Sequence, residues 1–317
     1  MHEVIVIGGG PAGLAATAYA LDKGLDVVLL CTAYNGRAGA EQWINGQIQP
    51  ESFLGMEGVV ECRRRITVRQ GYLVHELTVG VVQEDEHFQV VTETCTRSTR
   101  AVIVATGAHP RLLGLPNEHA LVGRGLGYSI TTHAQLAAGR DVAVVGSTQH
   151  ALRGVAELAH TARRIALIVP PDARIDGVLA QRLRGLPNVT FYDGYTTTAL
   201  EEADNVLHRI VVHRGSDVQR IPAELVFVDI GLVPSAQVMA LDVARDQHGF
   251  IIVDATQQTN VPGLFAAGDV TTQPTEHILI ALGAGARAAM HAYDYILAQR
   301  LQPQVETVRS HVNAAPA

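Results

Sequence analysis

The sequence predicts an α/β protein built from two similar domains, the second inserted into the first. Two stretches carry this prediction: each is a short apolar strand followed by a glycine turn and a helix, and they begin at Val4 and Asp141. A third stretch, Val261–Asp269, is a strand of small residues that ends in Gly-Asp and comes after the second unit. A chain that returns to its first sheet after completing a second one produces this nested arrangement.

The first glycine turn predicts a dinucleotide site. Val4–Ile7 has the composition of a buried strand, and Gly8, Gly10 and Gly13 fill the glycine places of the pattern G-x-G-x-x-G. The first glycine permits the tight turn, the second lets the backbone approach a pyrophosphate, and the third lets the helix pack on the strand. The helix N-terminus adds free N–H groups and a partial positive charge. With a second strand at Asp26–Leu30, the stretch favours a three-layer (ββα) Rossmann-like domain over a tight turn without a ligand.

Composition narrows the class of protein. The 317 residues are 47% apolar and 17% charged, with a net charge of -7, which is enough for two packed domains and argues against a nucleic-acid surface. No apolar run reaches the roughly 18 residues of a membrane helix. Met1 leads straight into a core strand, so we expect no signal peptide. Cys31, Cys62 and Cys95 are too far apart for a C-x-x-C pair, and the histidines show no metal-binding spacing. These features predict a cytoplasmic protein without a metal.

The segment after the second strand departs from the usual pattern. Its tip carries Cys31 and Thr32 where an acidic residue often holds an adenosine ribose. Thr32 can bind that ribose less strongly, and Cys31 is equally well explained as a buried strand end. A glycine- and polar-rich connection over residues 35–58 carries the single tryptophan, Trp43, which either lies near a ligand or only packs.

The rest of the first half predicts a helix and further strands. Residues 62–76 read as a helix running into a strand, and alternation over residues 76–97 is typical of antiparallel strands. Ala101–Gly107 reads as a buried strand ending in Thr-Gly. The chain breaker Gly114-Leu115-Pro116 marks the first domain boundary.

The second unit repeats the first with an altered turn. A strand at Asp141–Gly146, a helix at about residues 150–161 and a strand at residues 165–169 form the βαβ pattern, but Thr148 stands at the place of the middle glycine. A β-branched residue is expected to resist an unusual backbone angle there and to block a pyrophosphate. No arginine pair follows the next strand to clamp a 2′-phosphate. The sequence therefore predicts that the fold is kept while its nicotinamide site is impaired or lost.

The last third predicts a return to the first domain. Strands are expected at residues 189–192, 207–213 and 224–230, and Gly231–Pro234 marks the return boundary. The Gly-Asp strand is followed by a turn and a helix at about residues 278–297. Residues 301–317 have little pattern and are expected to form a tail or a partner-bound segment.

Together these motifs resemble the thioredoxin-reductase-like branch of the flavoproteins with two dinucleotide-binding domains. The resemblance covers nearly the whole chain and is carried by the first glycine turn, by Ala105–Ala108 with Leu113–Pro116, and by Phe265–Val270. It implies FAD, held in part by Asp269 on its ribityl chain, and a homodimer. Residues 51–55 look like a diverged copy of the family's E-N-F-P-G segment. The implied FAD-binding residues are Gly8, Gly10, Pro11, Ala12, Gly13, Thr32, Ala105, Thr106, Gly107, Gly268, Asp269, His277 and Ile278.

The resemblance also implies a division of the chain. Residues 1–110 and 235–300 would form the FAD domain, residues 112–232 the inserted NAD(P)-type domain, and residues 301–317 a C-terminal tail. In the family a C-x-x-C pair precedes the second glycine turn, but here Ser129 and Thr132 take the places of the thiols. A hydroxyl cannot exchange with a disulfide, so thioredoxin reduction is not expected.

Four residues are candidates for catalysis. His277 follows Gly-Asp in a turn where the family commonly carries a basic residue and Gln, and a histidine beside a flavin can donate or accept a proton. Capping of the last helix, or packing at a dimer interface, explains His277 almost as well. His133 is a second candidate. Ser129 and Thr132, at the places of the two thiols, are the remaining candidates. Tyr128 and Ser129 either line the space left by the dithiol or only fill it.

Three functions remain open at this point. The first is an FAD-dependent oxidoreductase without a dithiol, which passes electrons from an unknown substrate or protein donor to oxygen, a quinone-like acceptor or another carrier. The second keeps NAD(P)H as donor and reduces a ferredoxin- or flavodoxin-type acceptor. The third is a non-catalytic flavoprotein that serves as a sensor or partner subunit.

Overall fold

The structure is a computed structural model and describes residues 1–34, 36–39, 54–69, 72–130, 134–236, 241–273 and 276–301. Its strands in chain order are β1 His2–Ile7, β2 Val27–Cys31, β3 Tyr72–His75, β4 Thr78–Glu84, β5 His87–Thr92, β6 Thr96–Val104, β7 Ala108–Pro110, β8 Leu126–Gly127, β9 Asp141–Gly146, β10 Arg164–Val169, β11 Val189–Asp193, β12 Thr196–Ala203, β13 Val206–Arg214, β14 Asp217–Pro222, β15 Leu225–Asp229, β16 Leu232–Pro234 and β17 Leu264–Ala266. Its α-helices are α1 Pro11–Asp22, α2 Met56–Val68, α3 Glu118–Leu121, α4 Gln149–Leu158, α5 Val178–Arg184 and α6 Ile278–Leu301.

The first sheet has the strand order β3-β2-β1-β6-β5-β4, and β17 pairs with the end of β6. The strands β1, β2, β3 and β17 run parallel to their neighbours, whereas β4, β5 and the start of β6 form an antiparallel meander. Because side chains alternate along a strand, Val4 and Val6 pack with α1, α2 and α6, while Ile5 and Ile7 pack with residues of the meander. The domain therefore has the expected three layers.

The second sheet repeats this arrangement. Its order is β11-β10-β9-β15-β8, and every pairing in it is parallel. Val142 and Val144 pack with residues of α4 and α5, whereas Ala143 and Val145 pack with residues of the antiparallel strands β12, β13 and β14. The predicted fold class, an α/β protein with two Rossmann-like units, is confirmed.

A two-stranded ribbon links the two units. β7 leaves the first sheet, β16 returns to it, and the two pair antiparallel with Ala108 opposite Pro234 and Pro110 opposite Leu232. Both passages between the sheets thus lie side by side. The ribbon lies at the limits predicted for the inserted domain, and the exact domain division stays a prediction.

Several elements differ from the sequence expectation. Helix α2 begins at Met56, six residues before the expected start, because Gly55 has a left-handed φ of 99° that ends the loop and because Met56 and Val59 are buried on the same face as Ile66. Strands β12 and β14 and helix α5 were not predicted. The predicted tail lies, apart from Leu301, outside the described residues, as do Trp43 and residues 51–53.

Candidate functional site

A cleft opens where several parallel strands of the first sheet end. It measures about 730 Å³ and lies at the C-terminal ends of β1, β2, β6 and β17, the edge at which parallel sheets bind ligands. All the predicted FAD-binding residues except Gly13 line it, and so do residues of the second unit. The predicted residues that line it are Gly8, Gly10, Pro11, Ala12, Thr32, Ala105, Thr106, Gly107, Gly268, Asp269, His277 and Ile278.

The three glycines of the first turn have different roles. Gly8 has a φ of 114°, and a Cβ there would lie 2.2 Å from the carbonyl oxygen of Ala105. A Cβ on Gly13 would lie 1.8 Å from the carbonyl oxygen of Gly8, so both glycines are required by packing. Gly10 has an ordinary φ of -76°, and the nearest atom to its Cβ position is the Cα of Gly36 at 4.0 Å. The protein itself therefore leaves open the space beside Gly10.

The start of α1 is suited to an anion. Gly10 occupies its N-cap position, and no side chain caps this end. The first N–H groups of a helix have no partner within the helix and carry its positive partial charge. The open Cβ position of Gly10 and this uncapped end together form a cradle for a phosphate group.

Asp269 also lines the cleft and belongs to an ion-pair network. The guanidinium of Arg37 donates a hydrogen bond to Asp269 and another to Glu276, the latter at 3.2 Å. Burial works against the charge of Arg37, but the charges and hydrogen bonds of the two carboxylates outweigh it and raise the pKa of Arg37. The side chain of Asp269 offers oxygen acceptors that suit a sugar hydroxyl.

Thr106 offers a second polar group to a ligand. Its hydroxyl oxygen is buried and makes no hydrogen bond within the part of the chain that the structure describes. An unsatisfied buried hydroxyl is costly, and Thr106 lines the cleft between the glycine turn and Gly107. A bound dinucleotide can supply the missing partner.

His277 caps the last helix. Its Nδ1 accepts a hydrogen bond from the backbone N–H of Leu279 at 3.2 Å, at the start of α6. Nδ1 of His277 is therefore occupied as a hydrogen-bond acceptor. The capping role considered from the sequence is therefore present, and a catalytic role for His277, which lines the cleft, stays a prediction.

Ser129 lines the cleft and follows a residue that is firmly held. The hydroxyl of Tyr128 donates to the buried carboxylate of Glu118 at 2.8 Å, and burial followed by this hydrogen bond raises the pKa of Tyr128. Tyr128 is therefore a neutral donor. Thr132 and His133 lie outside the described residues, so their predicted roles rest on the sequence alone.

The second glycine turn is filled by its own side chains. Thr148 is the N-cap of α4, and its hydroxyl oxygen accepts from the N–H of Ala151 at 2.9 Å and donates to Asp229 at 3.1 Å. Its backbone is ordinary, with φ -71° and ψ 159°, as is that of Gly10. The expectation that a β-branched residue is strained there is wrong, because this place in the turn has extended backbone. The Thr148 side chain, rather than strain, distinguishes the second turn from the first.

A histidine–aspartate pair beside this turn was not found from the sequence. Nδ1 of His150 lies 2.6 Å from Oδ2 of Asp229, and His150 lines the same cleft as Asp269. Asp229 ends β15 and is paired in register with Gly146 at the end of β9. The sequence did predict both β9 and β15. Residues at the ends of these two strands could therefore have been expected to lie close together.

Arg37 and Glu76 were also missed. Arg37 lies in a short 3-10 turn, Gly36–Gly39, inside the long connection, where nothing local marks its role. Glu76 follows β3, lines the cleft and is held by Arg97 at 2.7 and 3.1 Å. Both residues find their partners only in the folded chain.

Two kinds of feature are absent from the described residues. No group of three or more His, Cys, Asp or Glu side chains in them is arranged to hold a metal ion. None of the helices described is long and apolar enough to cross a membrane.

The protein has two Rossmann-like units, and its cleft lies between the first glycine turn and the strand that ends in Gly-Asp. These features define an oxidoreductase of the class with two dinucleotide-binding domains. A family model described as pyridine nucleotide-disulphide oxidoreductase matches residues 2–292. The chain belongs to this family.

Solved and curated relatives agree with this assignment. The F subunit of the alkyl hydroperoxide reductase of Pseudomonas putida is 31% identical over 308 residues, and its counterpart in Staphylococcus aureus strain MSSA476 is 31% identical over 303. Each match covers 93% of this chain but only 58% and 59% of the relative, so the chain spans under three-fifths of their length. A thioredoxin reductase of Streptococcus pyogenes has the same fold, with a TM-score of 0.80 at 24% identity over 94% of this chain and 99% of that one. The predicted thioredoxin-reductase-like resemblance is confirmed.

Proposed function

We propose that this protein is an FAD-dependent oxidoreductase that works without a redox dithiol and with an impaired NAD(P)H site, passing electrons between a donor and an acceptor through the flavin. The contrast between the two glycine turns carries the proposal. The space beside Gly10 is open, whereas Thr148 uses its side chain to cap α4 and to bind Asp229. The first turn is suited to a pyrophosphate. In the second turn the Thr148 side chain bonds to groups of the protein itself.

Residues that follow or begin three elements support FAD as the cofactor of the cleft. Gly10 at the start of α1 would hold its pyrophosphate, Thr106 after β6 has an unsatisfied hydroxyl, and Asp269 after β17 would accept from the ribityl chain. Membership of the family supports the same cofactor. When bound, FAD supplies the redox chemistry, and the chain positions it and excludes water.

The absence of a dithiol supports a reaction other than disulfide exchange. Ser129 and Thr132 stand where the family carries its two cysteines. Cys31 lines the cleft, but burial raises the pKa of its thiol, and it has no second cysteine beside it among the described residues. A buried single thiol cannot complete a dithiol cycle.

The second candidate is a flavoprotein that accepts electrons from NAD(P)H. It is favoured by the family description, which names a pyridine nucleotide. Relatives of the chain are named as subunits of alkyl hydroperoxide reductase. In this case the Thr148 side chain would swing away when the nucleotide binds. Because the chain covers only part of those relatives, their peroxide-related activity is no more than a second proposal here.

Direct binding separates the two candidates. We expect calorimetric titration of the flavin-loaded protein with NADPH and with NADH to show no saturable binding, and Thr148→Gly to show stronger binding than the wild type. Thr148→Ser is the matched control, since it keeps the capping hydroxyl and should behave as the wild type. Micromolar binding of either nucleotide to the wild type would overturn the impaired site and favour the second candidate.

A flavin that dithionite cannot reduce, or that is lost without loss of folding, would instead support a non-catalytic flavoprotein. We also expect the protein to be a homodimer and to be located in the cytoplasm. Sedimentation at twice the chain mass is the result expected for the homodimer.

A further inference from the structure

We propose that His150, positioned by Asp229, is the acid that delivers a proton to a quinone acceptor while the flavin delivers the hydride. The inference rests on the proposed function, because it requires a reduced flavin in the cleft. It gives the altered second turn a new role, since the place that would hold a nicotinamide dinucleotide in the family presents a proton donor instead.

His150 is fixed from one side only. Its Nδ1 binds Asp229 at 2.6 Å, and the other carboxylate oxygen of Asp229 accepts from the hydroxyl of Thr148 at 3.1 Å. Asp229 is only 8% exposed, whereas the side chain of His150 is 32% exposed. Nε2 of His150 makes no hydrogen bond within the described part of the chain, so this nitrogen is available at the cleft.

The charges around His150 favour its protonated form. The hydrogen bond to Asp229 is the largest influence and raises the pKa of the imidazole, burial opposes it, and the charges of Asp229, Glu276 and Glu157 add to the rise. Asp229 acts from β15, Glu276 from the segment before α6, and Glu157 from the same helix. Arg37 is paired with Glu276 and reduces its effect. The net effect raises the pKa of His150 above its ordinary value, so more of the imidazole is protonated at a given pH than in a free histidine.

His150 also lies in the cleft that contains the proposed flavin site. It lines this cleft together with Gly268, Asp269 and Ile278. The second unit and the ribbon add mainly apolar or neutral side chains to the wall, including Ala108, Pro110, Val122 and Tyr128. An uncharged ring suits such a wall better than an anionic substrate does.

The proton balance identifies the class of acceptor. Reduction of a quinone to a hydroquinone requires a hydride and a proton. FAD, when bound and reduced, would supply the hydride, and the N–H bond at Nε2 of His150 breaks as an O–H bond forms on the acceptor oxygen. His150 is then neutral and regains its proton from solvent. A one-electron carrier takes no proton in this step, so it would not need His150.

The experiment uses the FAD-loaded protein, photoreduced without oxygen and mixed with 1,4-benzoquinone in a stopped-flow instrument. We expect His150→Gln to slow flavin reoxidation at neutral pH by about a hundredfold, the usual scale of a lost general acid. In the wild type the rate should fall as pH rises through the imidazole pKa, and in His150→Gln it should be independent of pH. Reoxidation by ferricyanide, a one-electron oxidant, should be equal in both proteins.

A second variant separates positioning from proton donation. Asp229→Asn keeps the shape but removes the charge, so it should lower the imidazole pKa and move the fall in rate to lower pH. Proton NMR titration of His150 in the wild type and in Asp229→Asn measures that pKa without turnover. His160→Gln is the matched control, because His160 is exposed just beyond the other end of α4.

Different results would overturn the role of His150 and the proposed function. If the flavin is bound and reducible but His150→Gln is reoxidised by benzoquinone at the wild-type rate at every pH, His150 is not the acid. An NMR titration that gives His150 a pKa below the usual value for histidine would also overturn the inference. If no flavin is bound, or NADPH binds tightly, the proposed function fails instead.

Discussion

The ion pair of Asp269 prepares a single side chain for binding a ligand. Its carboxylate is held by Arg37, which also binds Glu276. The ion pair fixes the direction of the Asp269 side chain. Charge-assisted hydrogen bonds contribute about 1.5–3 kcal/mol each.

Asp269→Ala should therefore weaken FAD binding by roughly ten- to a hundredfold, since the variant loses a charge-assisted bond to the ribityl chain. Flavin affinity can be measured by fluorescence titration of the deflavinated protein. Asp242→Ala is the control, because Asp242 is an exposed aspartate of the same unit. Equal affinity for FAD in Asp269→Ala and the wild type would show that Asp269 does not bind the ribityl chain.

Substitution by alanine should have different effects at Gly10 and at Gly8, although they are two residues apart. Gly10→Ala meets no atom nearer than 4.0 Å, so the fold should lose no more than about 1 kcal/mol while flavin occupancy falls at least tenfold. Gly8→Ala places a Cβ 2.2 Å from a carbonyl oxygen and should prevent folding. Circular dichroism and the visible spectrum check both. Full flavin occupancy in Gly10→Ala would mean that no phosphate lies beside it.

At the scale of an element, the turn Leu113–Leu115 is stabilised by one buried carboxylate. Glu118 is 1% exposed and accepts hydrogen bonds from the backbone N–H groups of Leu113, Gly114 and Leu115 at 2.8, 2.8 and 3.3 Å. It also accepts from Tyr128, next to Ser129 in the cleft. The carboxylate thus ties the entry of the second unit to the wall of the cleft.

Glu118→Ala should destabilise the protein by about 1–3 kcal/mol, because three backbone N–H groups lose their acceptor while water can reach the half-buried turn and replace part of it. Tyr128→Phe should cost only about 1 kcal/mol, since a single hydrogen bond is lost. Urea unfolding measures both, with exposed Glu86→Ala as the control. A loss below about 1 kcal/mol in Glu118→Ala would show that the turn holds without the carboxylate.

Local patterns and distant partners explain which features the sequence predicted. Both glycine turns and their strands were predicted, because each is written in a few consecutive residues. The pair His150 and Asp229 was not, because its members are 79 residues apart and meet only when β9 and β15 pair. Strand β14 was missed because its residues are mainly polar and mostly exposed, which hides the strand pattern. The strain expected at Thr148 was wrong because its backbone angle can be known only from the fold.

At the scale of the whole molecule, two cores of similar design share one cleft. The ribbon of β7 and β16 joins them, and the first unit contributes the open glycine turn while the second contributes His150 and Ser129. We propose that the cleft at the end of the first sheet holds a reducible flavin and that the second glycine turn binds a nicotinamide nucleotide weakly or not at all.

An anaerobic titration followed by visible spectroscopy tests both parts of this proposal. NADPH, then NADH, then dithionite is added to the purified protein. We expect a flavin spectrum that neither nucleotide bleaches at one equivalent and that dithionite bleaches fully. Stoichiometric bleaching by NADPH or NADH would contradict the impaired second site, and a protein that binds no flavin even when supplied with FAD would contradict the assignment of the cleft.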